Sequence, residues 1–292
     1  MGEQNTVSGV LRGIDHLVHA VDDLEGCADA FRRLGFTLTP RGRHRNMATG
    51  NYCIMFADDY IELMGIIDPD LPDRGLRDRM TAQGEGLDRC AFAVDDVDAA
   101  FATLSAAGFR VNGPIDLRRP LELPEGEVEP RFRLIRFDGN ETRLLNGFIC
   151  YHDTPEITRR PDWLTHPNGV TRILGLVAVA ADPAALGAEW ARLLGADAIH
   201  ETAVGIAMRI GPHVVDVARH DTVQAALPGL SADDIPAIDR MLAMRLAVSD
   251  LTATRDLLTG NGVAFSDQAD GSVFVSPAAT GGTAVNFSRE RP

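Results

Sequence analysis

Short apolar runs that end in an acidic signal and pass into a helical pattern recur four times along the chain. The first is Ile14-Asp15-His16-Leu17-Val18-His19-Ala20-Val21, closed by Asp22-Asp23 and followed by a helical stretch up to Gly35. Acidic residues at the start of that stretch suit a helix's positive end, and glycine stops it. Three short runs follow: Phe36-Thr37-Leu38-Thr39, Tyr52-Cys53-Ile54-Met55-Phe56 and Tyr60-Ile61-Glu62-Leu63-Met64. Between the last two, Ala57-Asp58-Asp59 is a tight hairpin signal. One unit therefore reads β-α-β-β-β. Side chains alternate along a strand, so Ile14, His16 and Val18 are expected on one face and Asp15, Leu17 and His19 on the other. By the same parity Tyr60, Glu62 and Met64 share a face.

The second copy runs from Leu87 through Val94-Asp95-Asp96-Val97 to Leu104 and Gly108-Phe109. A Pro- and Glu-rich stretch from Pro114 to Pro130 reads as a loop before the strand Arg131–Ile135, and Gly147–Tyr151 closes the unit. The third copy runs from Leu176 through Asp182 to Trp190 and Gly195, with strands at Gly205–Ile210 and His213–Ala218. The fourth runs from Leu246 through Asp250 to Leu258, with strands at Ser272–Val275 and Thr283–Phe287. A repeat at this scale decides architecture. Residues 153–170 carry prolines and little periodicity and read as a linker. They separate a first half, 1–152 (units at about 13–67 and 86–152), from a second, 171–292 (units at about 171–220 and 240–290).

Composition narrows the function classes. The 292 residues carry a formal net charge of −14, which speaks against nucleic acid or an anionic membrane as partner. No leader pattern opens the chain and no apolar run nears the ~18 residues of a membrane span, so the expectation is a cytoplasmic protein. Cys27, Cys53, Cys90 and Cys150 show no CxxC spacing and read as reduced core residues.

Asp15-His16-Leu17-Val18, Asp23-Leu24, Leu34-Gly35-Phe36, Arg41-Gly42-Arg43-His44 and Tyr60-Ile61-Glu62-Leu63 together resemble the glyoxalase-like branch of the vicinal oxygen chelate superfamily. His152-Asp153-Thr154-Pro155-Glu156, Trp163 and His166-Pro167-Asn168-Gly169 extend that resemblance into the linker. It implies an α+β fold, with four tandem βαβββ modules paired into two cup-shaped half-barrel sheets, helices outside. It also implies a divalent metal inside a cup, held by residues from first and last strands. His16 and Glu62 stand in such places, and a carboxylate in an apolar strand needs a partner. The other copies carry Arg89, Gly175 and Ala243 in the His16 column, and Asp216 and Asn286 in the Glu62 column. The second half thus lacks the histidines that an iron-dependent, ring-cleaving member would place there.

His152, after the last strand of the second module, is the expected third ligand. A His/Glu/His set suits Zn²⁺, Fe²⁺, Mn²⁺, Ni²⁺ or Co²⁺ without selecting one. Arg41, Arg43, Tyr60 and His166 are the expected substrate contacts, and Glu62 and His44 the catalytic groups. His200, His213 and His220 read as surface or hairpin positions. The leading expectation is a metal-dependent lyase or isomerase acting on a small carbonyl, enediol or hydroxy-acid substrate through an enolate-like intermediate. A metal-free small-molecule binding or resistance protein and a ring-cleaving dioxygenase are the alternatives. Superfamily modules pair within one chain or across a homodimer, and both arrangements stay open.

Overall fold

The computed structural model describes residues 7–289 apart from 124, 139 and 140. The chain forms two eight-stranded sheets of one topology. The first is built from β1 (Gly13–Val21), β2 (Gly42–Arg43), β3 (Thr49–Met55), β4 (Tyr60–Ile66), β5 (Gly86–Ala93), β6 (Val111–Arg118), β9 (Arg131–Phe137) and β10 (Phe148–His152), in the order β2-β3-β4-β1-β5-β10-β9-β6. A separate hairpin pairs β7 (Leu121–Leu123) with β8 (Gly126–Val128). In the second sheet, β11 (Val170–Val179), β12 (Ile199–Thr202), β13 (Gly205–Ile210), β14 (His213–Ala218), β15 (Arg240–Val248), β16 (Ser266–Asp267), β17 (Val273–Val275) and β18 (Ala284–Arg289) run β12-β13-β14-β11-β15-β18-β17-β16. Each sheet is two modules joined by their antiparallel first strands, β1 with β5 and β11 with β15. Beside them the last strands run parallel: β4 with β1, β10 with β5, β14 with β11 and β18 with β15.

Helices α1 (Leu24–Arg33), α3 (Val97–Ala106), α5 (Pro183–Leu194) and α7 (Leu251–Gly260) each follow a first strand, while α2 (Leu76–Gln83), α4 (Pro155–Thr158) and α6 (Val223–Ala226) are short connections. The repeated acidic signal is an N-cap. Asp23, Asp96, Asp182 and Asp250 each accept hydrogen bonds from backbone N–H groups of the first turn, satisfying donors that the helix cannot pair itself. On α1, Leu24, Cys27, Ala28 and Phe31 make the i, i+3, i+4, i+7 stripe and are buried. They join one apolar core that continues through Leu17, Ile61 and Phe92 into Trp190 of α5 and Ile173, Leu176 and Phe287 of the second sheet. All four cysteines are buried and free.

Three sequence expectations are corrected. Phe36–Thr39 is not a strand; the short β2 at Gly42–Arg43 takes its place. The stretch from Pro114 to Pro130 is not a loop, because β6 extends through it to Arg118 and the β7–β8 hairpin follows. Strict alternation also fails in β1. Its pairing with β5 slips between Ile14 and His16, so one extra residue, Asp15, is accommodated as a bulge. Ile14 consequently joins the apolar core, while Asp15 meets His16 and His152. From His16 onward parity holds: Leu17, Ile61 and Leu63 face the core, and His16, Tyr60, Glu62 and Met64 face the cup.

Candidate functional site

The first sheet encloses a cavity of about 300 Å³ lined by His16, His44, Tyr60, Glu62, Arg89 and Arg119, among others. At its wall a chain of polar groups crosses the sheet. His152 Nε2 lies 3.1 Å from Asp15 Oδ2, and His16 Nδ1 lies 2.6 Å from Asp15 Oδ1. On the other side of the same ring, His16 Nε2 lies 3.7 Å from Glu62 Oε2. His44 Nε2 lies 3.8 Å from the other Glu62 oxygen, and His44 Nδ1 is bonded to Thr49 Oγ1 at 2.8 Å. Asn51 donates to Glu62 Oε1 in a short hydrogen bond. Tyr60 stacks on His16, ring centroids 4.3 Å apart, and fixes the plane of the imidazole.

These contacts set the charge states. Burial works to raise the Asp15 carboxyl, but His152 and His16 outweigh it and hold that carboxyl well below the usual range. Glu62 is likewise raised by burial and lowered, with the larger net effect, by His16, His44, Arg119 and Asn51. Both carboxylates are therefore ionised inside the protein. Burial lowers His44, and Arg119 and Arg89 add to that against the pull of Glu62, so its neutral form is favoured. Arg119 is 6% exposed and donates to Cys53 Sγ at 3.1 Å. Burial also raises the Cys53 thiol, so this guanidinium faces a neutral partner.

The donor set fits a divalent cation. Asp15 engages His16 Nδ1 and leaves Nε2 directed at Glu62, the carboxylate–histidine arrangement that orients a ligating imidazole. The separation of 3.7 Å between Glu62 and His16 Nε2 exceeds a hydrogen bond and suits two groups on one ion. A second group, Asp15, His16 and Cys150, offers one ligand-type atom each within 4.8 Å of one another. There Asp15 already accepts from His16, and burial raises the Cys150 thiol well above its ordinary value, away from the thiolate a metal needs.

His16 and Glu62 are thus brought together in the cup. His152 is not beside Glu62 but one step away, behind Asp15, with His44 on the Glu62 flank instead. Tyr60 lines the cavity. Arg41 and Arg43 do not: Arg41 pairs with Glu25 at 2.9 Å, and both border a separate surface hollow. His166 is also outside, since its Nδ1 accepts from Thr37 N–H and its Nε2–H donates to the Met55 carbonyl. His213 opens β14 at the hairpin, one of the two places expected for it, but it is not on the surface. It is 4% exposed, accepts from Ile14 N–H and lies 3.2 Å from Asp59, tying the two sheets together. Sequence reasoning missed Asp15, Asn51 and Arg119. The signal for Asn51 was available, because it shares a face with Cys53 in a strand that pairs with Glu62.

The second cup is differently equipped. Asp216, in the Glu62 column, is paired with Arg245. Gly175, in the His16 column, has φ of +151°, and a Cβ there would stand 1.8 Å from the Val214 carbonyl oxygen. No ligand side chain fits at position 175 without moving the backbone, and Ala243 fills the same column in the fourth module.

The sequence profile of the glyoxalase-like domain matches residues 14–194. The chain belongs to the glyoxalase-like domain family. Members of this vicinal oxygen chelate fold commonly bind a metal. The match covers the first sheet, the linker and the third module's first strand and helix, so the family's region contains the whole cavity. No curated protein matches the chain by sequence. Among solved structures, a hypothetical protein from Staphylococcus aureus is similar at 12% identity and a TM-score of 0.68, covering 95% of this chain and 99% of that one. A mutant 4-hydroxymandelate synthase from Streptomyces coelicolor is similar at 14% identity and a TM-score of 0.58, covering 97% and 94%. A fusion protein of a xylose isomerase-like TIM barrel and 4-hydroxyphenylpyruvate dioxygenase is similar at 15% identity and 0.55, covering 98% of this chain and 50% of that one. These likenesses establish a shared fold.

Proposed function

We propose that the cup of this glyoxalase-like protein is the active site of a metal-dependent lyase or isomerase acting on a small substrate with adjacent oxygens. The observation that carries this reading is Glu62, ionised and buried, held between His16 Nε2 and His44 Nε2 at a cavity of substrate size. His16 and Glu62 would hold the divalent ion, which when bound supplies a Lewis acid for vicinal oxygens and for charge developing beside a carbonyl. His44 would take the proton. With Nδ1–H donating to Thr49, Nε2 is a free acceptor, burial keeps the ring neutral, and the adjacent Glu62 carboxylate steadies the imidazolium once formed. Asp15 holds the His16 tautomer, and Tyr60 and Phe148 confine its ring. Arg119, Phe132 and Leu134 line the cavity beside this centre, with the Arg119 charge acting on Glu62.

One observation favours a metal-free binding cup as the second reading. In the second module the His16 and Glu62 columns hold Arg89 and Phe148, whose side chains pack on each other at 5.6 Å, so ligands come from one module only. Elemental analysis separates the two. Purified protein should contain stoichiometric divalent metal, and His16→Ala and Glu62→Gln should each lower retention at least about tenfold while the circular dichroism spectrum is kept. Full metal content in both variants, or none in the parent protein, overturns the metal-dependent reading.

A further inference from the structure

The wall of the cavity formed by α2, β5 and β9 is cationic. Arg74, Arg79, Arg89 and Arg136 all line it, and two carboxylates lie nearby. Asp88 is shared: Arg79 grips both of its oxygens, at 2.7 and 3.1 Å, and Arg89 Nε shares one of them at 3.0 Å. Asp73 accepts from Gly75 N–H at 2.8 Å and lies 3.9 Å from Arg77. The side chains of Arg74 and Arg136 therefore face the cavity with no hydrogen bond to a carboxylate among the described residues. Arg136 is held below its usual value by burial and then by Arg74 and Arg89, so these three guanidiniums lie within electrostatic reach of one another. The first turn of α2 lines the same wall, its N-cap Gly75 offers no side-chain acceptor, and its dipole adds positive potential. Arg119 also lines the cavity, more than nine-tenths buried, with Nε unpartnered, Nη1 on a thiol and its guanidinium over Phe132 of β9.

Guanidiniums gathered this way repel one another unless an anion lies between them. The gathering gives a local positive field inside a molecule whose net charge is −14. We propose that this wall is the receptor for an oxyanion group, a carboxylate or a phosphate, of a small acid substrate, with Arg74 and Arg136 as its forked donors and the Asp88-held Arg89 adding its charge beside them. Forked guanidiniums suit planar or tetrahedral oxyanions by paired hydrogen bonds. The proposal rests on the cup being the active site. It adds that the substrate is an acid, oriented with its anionic end on this wall and its reacting carbons toward Glu62.

Ligand-observed NMR titrations with propionate, methyl phosphate and the neutral propionamide test it. At least one anion should bind, propionamide should not, and which anion binds identifies the group. Arg74→Gln and Arg136→Gln, both exposed residues, should each weaken binding about tenfold, while Arg33→Gln, outside the cavity, leaves it unchanged. Equal binding to both Gln variants, equal binding of propionamide, or no anion binding at all overturns the proposal. Glu62→Gln separates this from the functional reading: it should lose metal yet keep anion binding. Metal retained in that variant with anion binding lost in the arginine variants would leave the receptor standing and remove the metal-dependent mechanism.

Discussion

A Trp190→Ala chain should unfold about 3–5 kcal/mol more easily, the range for removing a fully buried aromatic, and both sheets should fail together. Trp190 sits on α5, packed against the second sheet, with 1% of its surface exposed. Its ring meets Phe92 of β5 edge-on at 5.9 Å, and its indole N–H donates to the Arg143 carbonyl at 3.1 Å. Both partners belong to the first sheet's modules. Truncation thus removes a large contact from an apolar core that runs without a break through both sheets, and it leaves a carbonyl unpaired. The chain's second tryptophan makes the test direct. Trp163 packs with Cys53, Met55 and Tyr60 beside the first cup, so in the variant its fluorescence reports on the first sheet alone. In urea, that signal and far-UV circular dichroism should share one midpoint, shifted below the parent's. Were the Trp163 midpoint to stay where the parent's lies, the two sheets would be independent units.

That coupling was the part of the fold least accessible from sequence. The module order, the capping aspartates and the parity of Tyr60, Glu62 and Met64 follow from local patterns, because caps and alternation are short-range physics. His16 and Glu62 came from the family resemblance, which chose His16 over His19, and the need of a carboxylate in an apolar strand for a partner supported the pair. Asp15 was not legible, since a single bulge reverses its face and nothing in the alternation of Ile14 to Val21 marks where the slip falls. His44 displaced His152 from the side of Glu62 because β2 is short and its turn folds inward, which depends on pairing with β3. Arg119 lay in a stretch whose prolines suggested a loop. His213 is 199 positions from its backbone partner Ile14, and only the packing of one sheet against the other brings them together.

The same junction should make the protein acid-sensitive between pH 6.5 and 4. His19 is fully buried, packs against Phe31 and meets Thr283 Oγ1 of the second sheet's fourth module at 3.0 Å. That oxygen also accepts from Leu87 N–H at 2.9 Å, which fixes its place beside the ring. Burial lowers His19 to about 4, Arg240 adds to this and the Thr280 backbone opposes it. In the unfolded chain a histidine takes up its proton near pH 6.5. Below that pH the unfolded state binds one proton more than the folded state, so stability falls as pH falls, and the loss is complete near the folded value. The full difference corresponds to about 3 kcal/mol. Urea titrations at intervals across this window should show it, and a His19→Leu chain should show a pH slope smaller by up to about one proton, whatever its stability at neutral pH. Identical slopes in the two chains would mean that His19 takes up no fewer protons in the folded state than in the unfolded one.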